Sequence, residues 1–264
     1  MHKMKICIAD LLIDWGFNDD GFTEKFISVN DAEPVIKIFH KKNMSACYGI
    51  QYVGGESSHV LQRTDSSVEL LCANEDWSKA TIYAKNYMDS EYSLPLAAIC
   101  SRFAEFSTLF LHGSFVEYQG KGVVFAGYSG VGKTTQARLW NEYLDAEPVN
   151  GDKVFLRVID GEVFAFGSPW KGSSEFCLNK KAPLKSIVVL RQAKENSIKK
   201  LSTLDCIELF MPHVFLPHWD EANLLKAIDT FNVILEKIPV WLLECRPDED
   251  AVKLTRDTIF DIKI

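Results

Sequence analysis

The stretch Gly127-Tyr128-Ser129-Gly130-Val131-Gly132-Lys133-Thr134 fits the pattern GxxxxGK[ST] without a gap, and the rest of the chain is read outward from it. Each fixed position has a physical task. Glycines adopt backbone angles, and allow a close approach, that a Cβ would block. Successive backbone N–H groups then converge and cradle phosphate oxygens. A helix opening near Lys133 turns the positive end of its dipole to the same anion. In that arrangement Gly127, Ser129, Gly130, Val131, Gly132, Lys133, Thr134 and Thr135 form the nucleotide-binding set. Lys133 reaches the β- and γ-phosphates, and the Thr134 hydroxyl ligates magnesium. The competing explanation is a chance glycine-rich turn. Against it, Val123-Val124-Phe125-Ala126 predicts a strand leading in, and Ala137, Leu139, Trp140 and Leu144 predict an amphipathic helix leading out from about Lys133 to Tyr143. A nucleoside triphosphate is therefore the expected ligand. The loop alone does not name a reaction, because GTPases, ATPases and kinases share it.

Upstream, Ser114 to Tyr118 and Gly122 to Ala126 flank Gln119-Gly120-Lys121 and predict a hairpin. Before it, Leu96, Ile99, Cys100, Phe103 and Phe106 recur at three- and four-residue spacing, which predicts a helical stretch over Leu94 to Leu111. Downstream, strands are expected at Val154 to Val158, Val163 to Phe166, Ser186 to Leu190 and Val240 to Cys245. Helices are expected at Glu221 to Leu235 and Asp248 to Thr258. The first hundred residues read as short strands, at Lys5 to Ala9, Val35 to Phe39, Tyr48 to Val53, Ser67 to Leu71 and Ala80 to Ala84. Gly54-Gly55 and Asn18-Asp19-Asp20-Gly21 are turn signals. The expected division is a β-rich portion at 1–94 and a P-loop domain at 95–264.

Composition bounds the partners. The 264 residues are 47% hydrophobic and 25% charged, as in ordinary globular proteins, and a sizeable core needs no metal or disulfide. A formal net charge of −7 argues against a nucleic-acid partner, whose affinity comes from Lys and Arg. The seven cysteines include no CxxC pair, so neither a zinc ribbon nor a redox dithiol is supported. Met1 to Asp10 is too short and polar for a signal peptide, and the apolar run Leu96 to Leu111 is broken by Arg102 and Glu105. A cytoplasmic protein with no membrane partner is expected, and a homo-oligomer is compatible with the sequence.

Two further residues bear on the chemistry. His112, in Leu111-His112-Gly113-Ser114, falls near the phosphate end of the sheet if the hairpin closes as read. There it either contacts the transferring phosphate or caps the preceding helix. Asp152, in Val149-Asn150-Gly151-Asp152-Lys153, either holds magnesium or takes a proton from a substrate hydroxyl, or else belongs to an ordinary Asx turn.

Together these residues resemble the HPr kinase/phosphorylase superfamily, which also includes the ATP-dependent phosphoenolpyruvate carboxykinases. That family shows a His-Gly, a short strand pair, GxSGxGKS and an Asp-Asp turn. The matching stretches are His112-Gly113, Gly127 to Thr134 with Ser129-Gly130, and Gly151-Asp152. The resemblance implies an α/β fold: an HPr kinase-like P-loop core with a mixed sheet flanked by helices, plus the β-rich N-terminal portion. It implies His112, Lys133 and Asp152 as catalytic residues, Thr134 and Asp152 as metal ligands, ATP and Mg2+ as cofactors, and a hydroxyl-bearing acceptor, foremost serine in a peptide or protein. Two departures stand out. Gly151 occupies the first position of the acidic pair, and a segment like Glu-Ile-Arg-Gly-Leu-Gly is absent, which argues against HPr itself as substrate. Gly167-Ser168-Pro169-Trp170-Lys171-Gly172 and Ala182-Pro183-Leu184-Lys185 look like segments of the small HPr-kinase-like proteins of ribosomal-peptide biosynthetic clusters.

Other features are open between two roles. The loop Ser168 to Ser174, with Glu175 as a second acid, either closes over the phosphates or simply connects strands. His213 and His218 lie among prolines without a third ligand, so a packed loop is favoured over a metal site, with an acceptor groove as another role. Arg246 is a candidate arginine finger, and Asp248 a candidate N-cap without a capping box. Besides a kinase, the sequence admits a nucleotide-binding module that has lost catalysis with the second acid, and a regulatory NTPase.

Overall fold

Short runs of alternating and β-branched residues dominate both halves of the chain, and they form two sheets. The computed structural model describes residues 4–17, 21, 23–42, 57–62, 69–84 and 94–261. The chain divides into two units, Met1–Glu105 and Phe106–Ile264.

In the first unit the described strands are β1 (Met4–Ile8), β2 (Leu11–Gly16), β3 (Ile36–Lys42), β4 (His59–Gln62), β5 (Leu70–Ala73) and β6 (Lys79–Ala84), in sheet order β1-β2-β3-β6-β5-β4. Ala9 and Asp10, at φ 54° and 57°, make the tight turn between β1 and β2. Helix α1 (Leu94–Ala104) buries Leu96, Ile99 and Phe103. Its Arg102 donates to the carbonyls of Val35 at 2.9 Å and Asp76 at 3.0 Å, which ties the helix to this unit. The division thus lies further along the chain than the 94/95 boundary expected. The expected strand at Tyr48 to Val53, the Gly54-Gly55 signal and residues 18–20 lie outside the described residues, as does the start of Ser67 to Leu71.

The helical stretch expected over Leu94 to Leu111 is corrected: the helix ends at Ala104, Ser107 takes φ 49°, and a strand begins at Thr108. Leu109, Phe110 and Leu111 are all buried, so both faces of that strand are covered. A strand buried on both faces reads as an unbroken apolar run, which periodicity alone does not separate from a helix.

The second unit holds β7 (Thr108–Tyr118), β8 (Lys121–Ala126), helix α2 (Lys133–Leu144), β9 (Glu147–Asn150), β10 (Lys153–Ile159), β11 (Glu162–Phe166), β12 (Lys181–Gln192), β13 (Ser197–Lys200), α3 (Thr203–Leu209), β14 (Val214–Phe215), α4 (Glu221–Lys237), β15 (Val240–Cys245) and α5 (Glu249–Ile259). The sheet runs β11-β10-β7-β8-β12-β15-β13, with β9 and β14 also on β7. Strands β8, β12 and β15 are parallel, and the others pair antiparallel, so the sheet is mixed and flanked by helices: an α/β fold.

Long β7 organises the unit. Along one edge it pairs with β10 and then β9, which follow one another in reverse. Lys153 faces His112, and Asn150 faces Phe115. Along the other edge β14 pairs with Phe110 and Leu111, and β8 takes over from Gly113. His112 therefore sits where the partner strand changes. Gly113 is required there: a Cβ would lie 2.9 Å from the Phe125 carbonyl oxygen and 2.7 Å from Leu111 Cδ1.

Helix α2 covers β8 through Ala137 and Trp140, which join Val116, Val123, Phe125 and Val188 in one core. Trp140 meets both Phe125 and Tyr118 edge to face. Asp248 caps α5 by accepting from the Ala251 N–H at 3.0 Å. Sequence reading did not find α3, although Ser202 and Asp205 form a reciprocal capping box at its start.

The hairpin turn between β7 and β8 places Gln119 at φ 52° and Gly120 at φ 74°, as a two-residue primed turn demands. A Cβ on Gly120 meets nothing within 4 Å, so only backbone strain opposes a side chain there. Gly120→Ala should cost about 1 kcal/mol of stability, read as a lower urea midpoint at unchanged slope.

Candidate functional site

Strand β8 delivers the chain into the loop at Gly127, and three of its glycines take left-handed or otherwise positive φ: 149° at Gly127, 79° at Gly130 and 116° at Gly132. A side chain at any of them would be strained. Gly132 is the N-cap of α2, and the helix start is pinned from below: buried Ser114 Oγ donates to the Lys133 carbonyl at 2.8 Å. The Lys133 ammonium is buried and donates to the carbonyls of Gly127 at 2.9 Å and Tyr128 at 3.0 Å. Burial lowers its pKa, Asp152 opposes that shift, and Lys153 adds to it. Thr134 Oγ1 donates to the Gly151 carbonyl at 3.0 Å, which ties the loop's end to the β9–β10 turn.

That turn is built by Asn150. Fully buried, its carboxamide oxygen accepts from the N–H groups of Asp152 and Lys153, both at 2.9 Å, and its NH2 donates to the Ser168 carbonyl at 2.7 Å. The Asx turn considered from sequence is thus present, with Asn150 as its pivot, and it is also what presents Asp152. The Asp152 carbonyl accepts from the Gly113 N–H at 2.9 Å.

The Asp152 carboxylate lies 2.9 Å from His112 Nε2 through Oδ1 and 2.7 Å from Lys153 Nζ through Oδ2. Burial alone would raise its pKa, but the hydrogen bonds and charges of His112 and Lys153 prevail and hold it at about 2. His112 stands in β7, so the helix-cap role considered for it is overturned.

A cavity of about 270 Å3 brings these groups together: His112, Ser129, Gly130, Gly132, Lys133, Thr134, Thr135, Gly151 and Asp152 line it, with Lys171, Ser173 and Ser174 across from them. Gly127 and Val131 do not line it; Gly127 supplies a carbonyl to Lys133. The segment opposite is anchored by Ser168, whose hydroxyl donates to the Lys153 carbonyl at 2.7 Å, and by fully buried Trp170. Gly172, at φ 58°, lays its backbone against Asp152, where a Cβ would sit 2.9 Å from the carboxylate carbon. This segment therefore walls the cavity as well as joining strands. Glu175 does not line it. Exposed, Glu175 pairs through both oxygens with Arg138, at 3.0 and 2.8 Å.

Gly151 has a local reason. A Cβ there would fall inside the side chain of Ser174, so the position that carries an acid in the resembling family is filled here from the facing loop. The donor set suits magnesium: a hydroxyl at Thr134 and a carboxylate at Asp152 are hard oxygen ligands, of the number that Mg2+ takes when phosphates and waters supply the rest. Among the described residues no group of three or more His, Cys, Asp or Glu could hold a metal by itself.

Sequence reading missed the place of His213. It ends a turn at Met211–His213 that leads into β14, one residue before the partner of Leu111, and so comes up beside His112. Its ring meets Tyr128 edge to face, centroids 4.8 Å apart. Burial lowers its pKa, and the charges of Lys133 and His112 lower it further. No spacing signal in the sequence links residue 213 to the loop; the pairing of β14 with β7 makes the connection. Arg246 lies away from the phosphate cavity, with Nε 2.8 Å from Asp248 Oδ2. No helix among the described residues is long and apolar enough to cross a membrane.

No family model matches the chain, and a comparison with curated proteins finds no match. Among solved structures the chain is similar to the Hpr(Ser) kinase/phosphatase from Coxiella burnetii, at 9% identity and a TM-score of 0.37, over 58% of this chain and 97% of that one. So distant a likeness decides neither fold nor function, and both rest on the geometry above.

Two outcomes check the site. A carboxylate whose folded pKa lies below its unfolded value stabilises the protein above that unfolded value and loses the contribution as pH falls through the folded one. The stability advantage of wild type over Asp152→Asn should therefore shrink by about 2 kcal/mol between about pH 5 and pH 2, measured by urea denaturation along that range; a constant difference would refute the pairing. Gly151→Ala should cost about 1–3 kcal/mol through overpacking, and Ser174→Gly in the same chain should recover most of it in the same assay.

Proposed function

We propose that this chain is an ATP- and magnesium-dependent kinase of the HPr kinase-like superfamily, transferring the γ-phosphate to a hydroxyl, foremost a serine in a peptide or protein. The observation that carries this reading is the His112–Asp152 pair at 2.9 Å in the same cavity as Lys133 and Thr134 of the phosphate loop. A loop that only binds nucleotide has no need of an acid–imidazole pair at the terminal-phosphate end. The resemblance of His112-Gly113, the loop and Gly151-Asp152 to that superfamily supports the same conclusion.

The residues divide the work. The amides of residues 129–134 and the Lys133 ammonium hold phosphate oxygens and offset charge as it develops on them. Thr134 and Asp152 would hold magnesium, which when bound neutralises phosphate charge. A carboxylate held at about 2 is a weak base at neutral pH. Asp152 is accordingly better suited to orient His112 than to take the proton itself. With Nε2 engaged by Asp152, Nδ1 is the ring nitrogen left to meet the incoming hydroxyl. Lys171, Ser173 and Ser174 line the opposite wall, where the Lys171 ammonium adds positive charge for the phosphates.

A second reading, a nucleotide-binding module without transferase activity, draws on the single acid: both Asp152 oxygens already have partners, and Ser174 fills the place of another. Mass spectrometry of candidate acceptors, including free serine and peptides encoded beside the gene, separates the two after incubation with Mg-ATP. The kinase reading expects one added phosphate on an acceptor, no detectable transfer by Lys133→Ala, and a loss of at least about a hundredfold in His112→Ala and Asp152→Asn. Transfer by Lys133→Ala at the wild-type rate would sink it.

A further inference from the structure

A second cavity, of about 330 Å3, adjoins the phosphate cavity on the side of Tyr128 and His213, and the two share Ser129 and Gly130. It lies on the face of the sheet turned away from α2. Val188 and Leu243 pack in the core that α2 covers, so Val189 and Leu242, which alternate with them and line this cavity, point to the opposite face. Leu209, at the end of α3, adds a further apolar wall. The phosphate cavity has a different chemistry: among the described residues, hydroxyls, glycines and charged groups line it.

Resting on the kinase reading above, we propose that this cavity receives the acceptor peptide: it takes an aliphatic or aromatic side chain next to the serine, whose hydroxyl then reaches past Ser129 and Gly130 to the terminal phosphate. Three observations support it. Val214 pairs with Leu111, which brings His213 beside His112, so a side chain seated in this cavity leaves its neighbour in the peptide at the His112–Asp152 pair. Tyr128 is 72% exposed although its ring rests edge to face on His213. A large aromatic left in water at the mouth of a cavity is the kind of group that anchors a partner. His213 is 6% exposed, and its ring has no hydrogen bond among the described residues. A buried polar ring calls for a partner, and a peptide N–H or carbonyl beside the serine supplies one.

The walls select the neighbour of the serine rather than its hydroxyl. A charged side chain set against Val189, Leu209 and Leu242 would lose its water without gaining a partner, so aspartate or lysine is disfavoured there. Arg191 on the lining is exposed and pairs with Glu244 at 3.2 Å, which offsets its charge. In the transfer, serine Oγ bonds the terminal phosphorus as the bond from that phosphorus to the bridging oxygen breaks and ADP leaves; the hydroxyl proton passes to the imidazole of His112.

Transfer from magnesium-ATP by the full chain to blocked peptides with a single serine tests this. The serine is flanked on one side or the other by phenylalanine, leucine, glycine, aspartate or lysine, and the added phosphate is read by mass spectrometry. Wild type should phosphorylate serine beside phenylalanine or leucine at least about tenfold faster than serine beside glycine or aspartate. Leu209→Glu should remove that preference and favour serine beside lysine. Transfer without preference in wild type, or a preference for phenylalanine and leucine retained in Leu209→Glu, overturns the assignment and leaves the kinase reading standing. If Leu209→Glu transfers to no peptide, Tyr128→Ala decides: a phenylalanine-to-glycine ratio at least about threefold lower upholds the assignment, and an unchanged ratio overturns it. A wild type that transfers to no peptide overturns the peptide-kinase reading together with the assignment.

Discussion

The junction of three segments at the middle of β7 is the constraint on which the site depends. At His112-Gly113 one strand partner ends and another begins, the Gly113 N–H donates to the Asp152 carbonyl, and Ser114 Oγ holds the Lys133 carbonyl. Three consecutive residues thus reach the His112–Asp152 pair, the β9–β10 turn and the first turn of α2. None of these links is strong alone, since a net hydrogen bond is worth about 1 kcal/mol. Their force lies in being buried and mutually exclusive of alternatives: a slipped register would leave several polar groups unpaired at once.

Asn150 plays the matching part across the cavity. One carboxamide satisfies two backbone donors and one acceptor carbonyl, so the turn that carries Gly151 and Asp152 is set by a side chain rather than by strand pairing. The facing segment is fixed in turn through Ser168. The cavity is therefore preorganised from two sides by neutral hydrogen bonds, with its charges held on that frame.

Much of this was legible in the sequence where local chemistry is decisive. The phosphate loop, the hairpin before it, the helix after it and the strand Val240–Cys245 follow from glycine positions and apolar patterns. His112 and Asp152 were each open between two roles on the residues alone, and only the family resemblance of their order around the loop set them together. What was illegible depends on contacts distant in sequence. Leu109 to Leu111 looked helical because a strand covered on both faces has no alternation to show. Gly151 looked like a missing acid, whereas its reason is a serine more than twenty residues later. His213 was weighed only as part of a proline-flanked loop, since only the pairing of β14 with β7 brings it to Tyr128.

The serine behind Gly151 also changes the electrical character of the cavity. With one carboxylate, Asp152, set against the ammonium groups of Lys133 and Lys171 on its lining and of Lys153 beside it, the site is cationic before any metal arrives. A pocket with two acids must recruit its divalent ion to stop repelling a polyphosphate. This lining favours an anion by its own charges, against the field of a chain whose net charge is −7. Attraction of that kind acts at a distance and fades as added salt screens it.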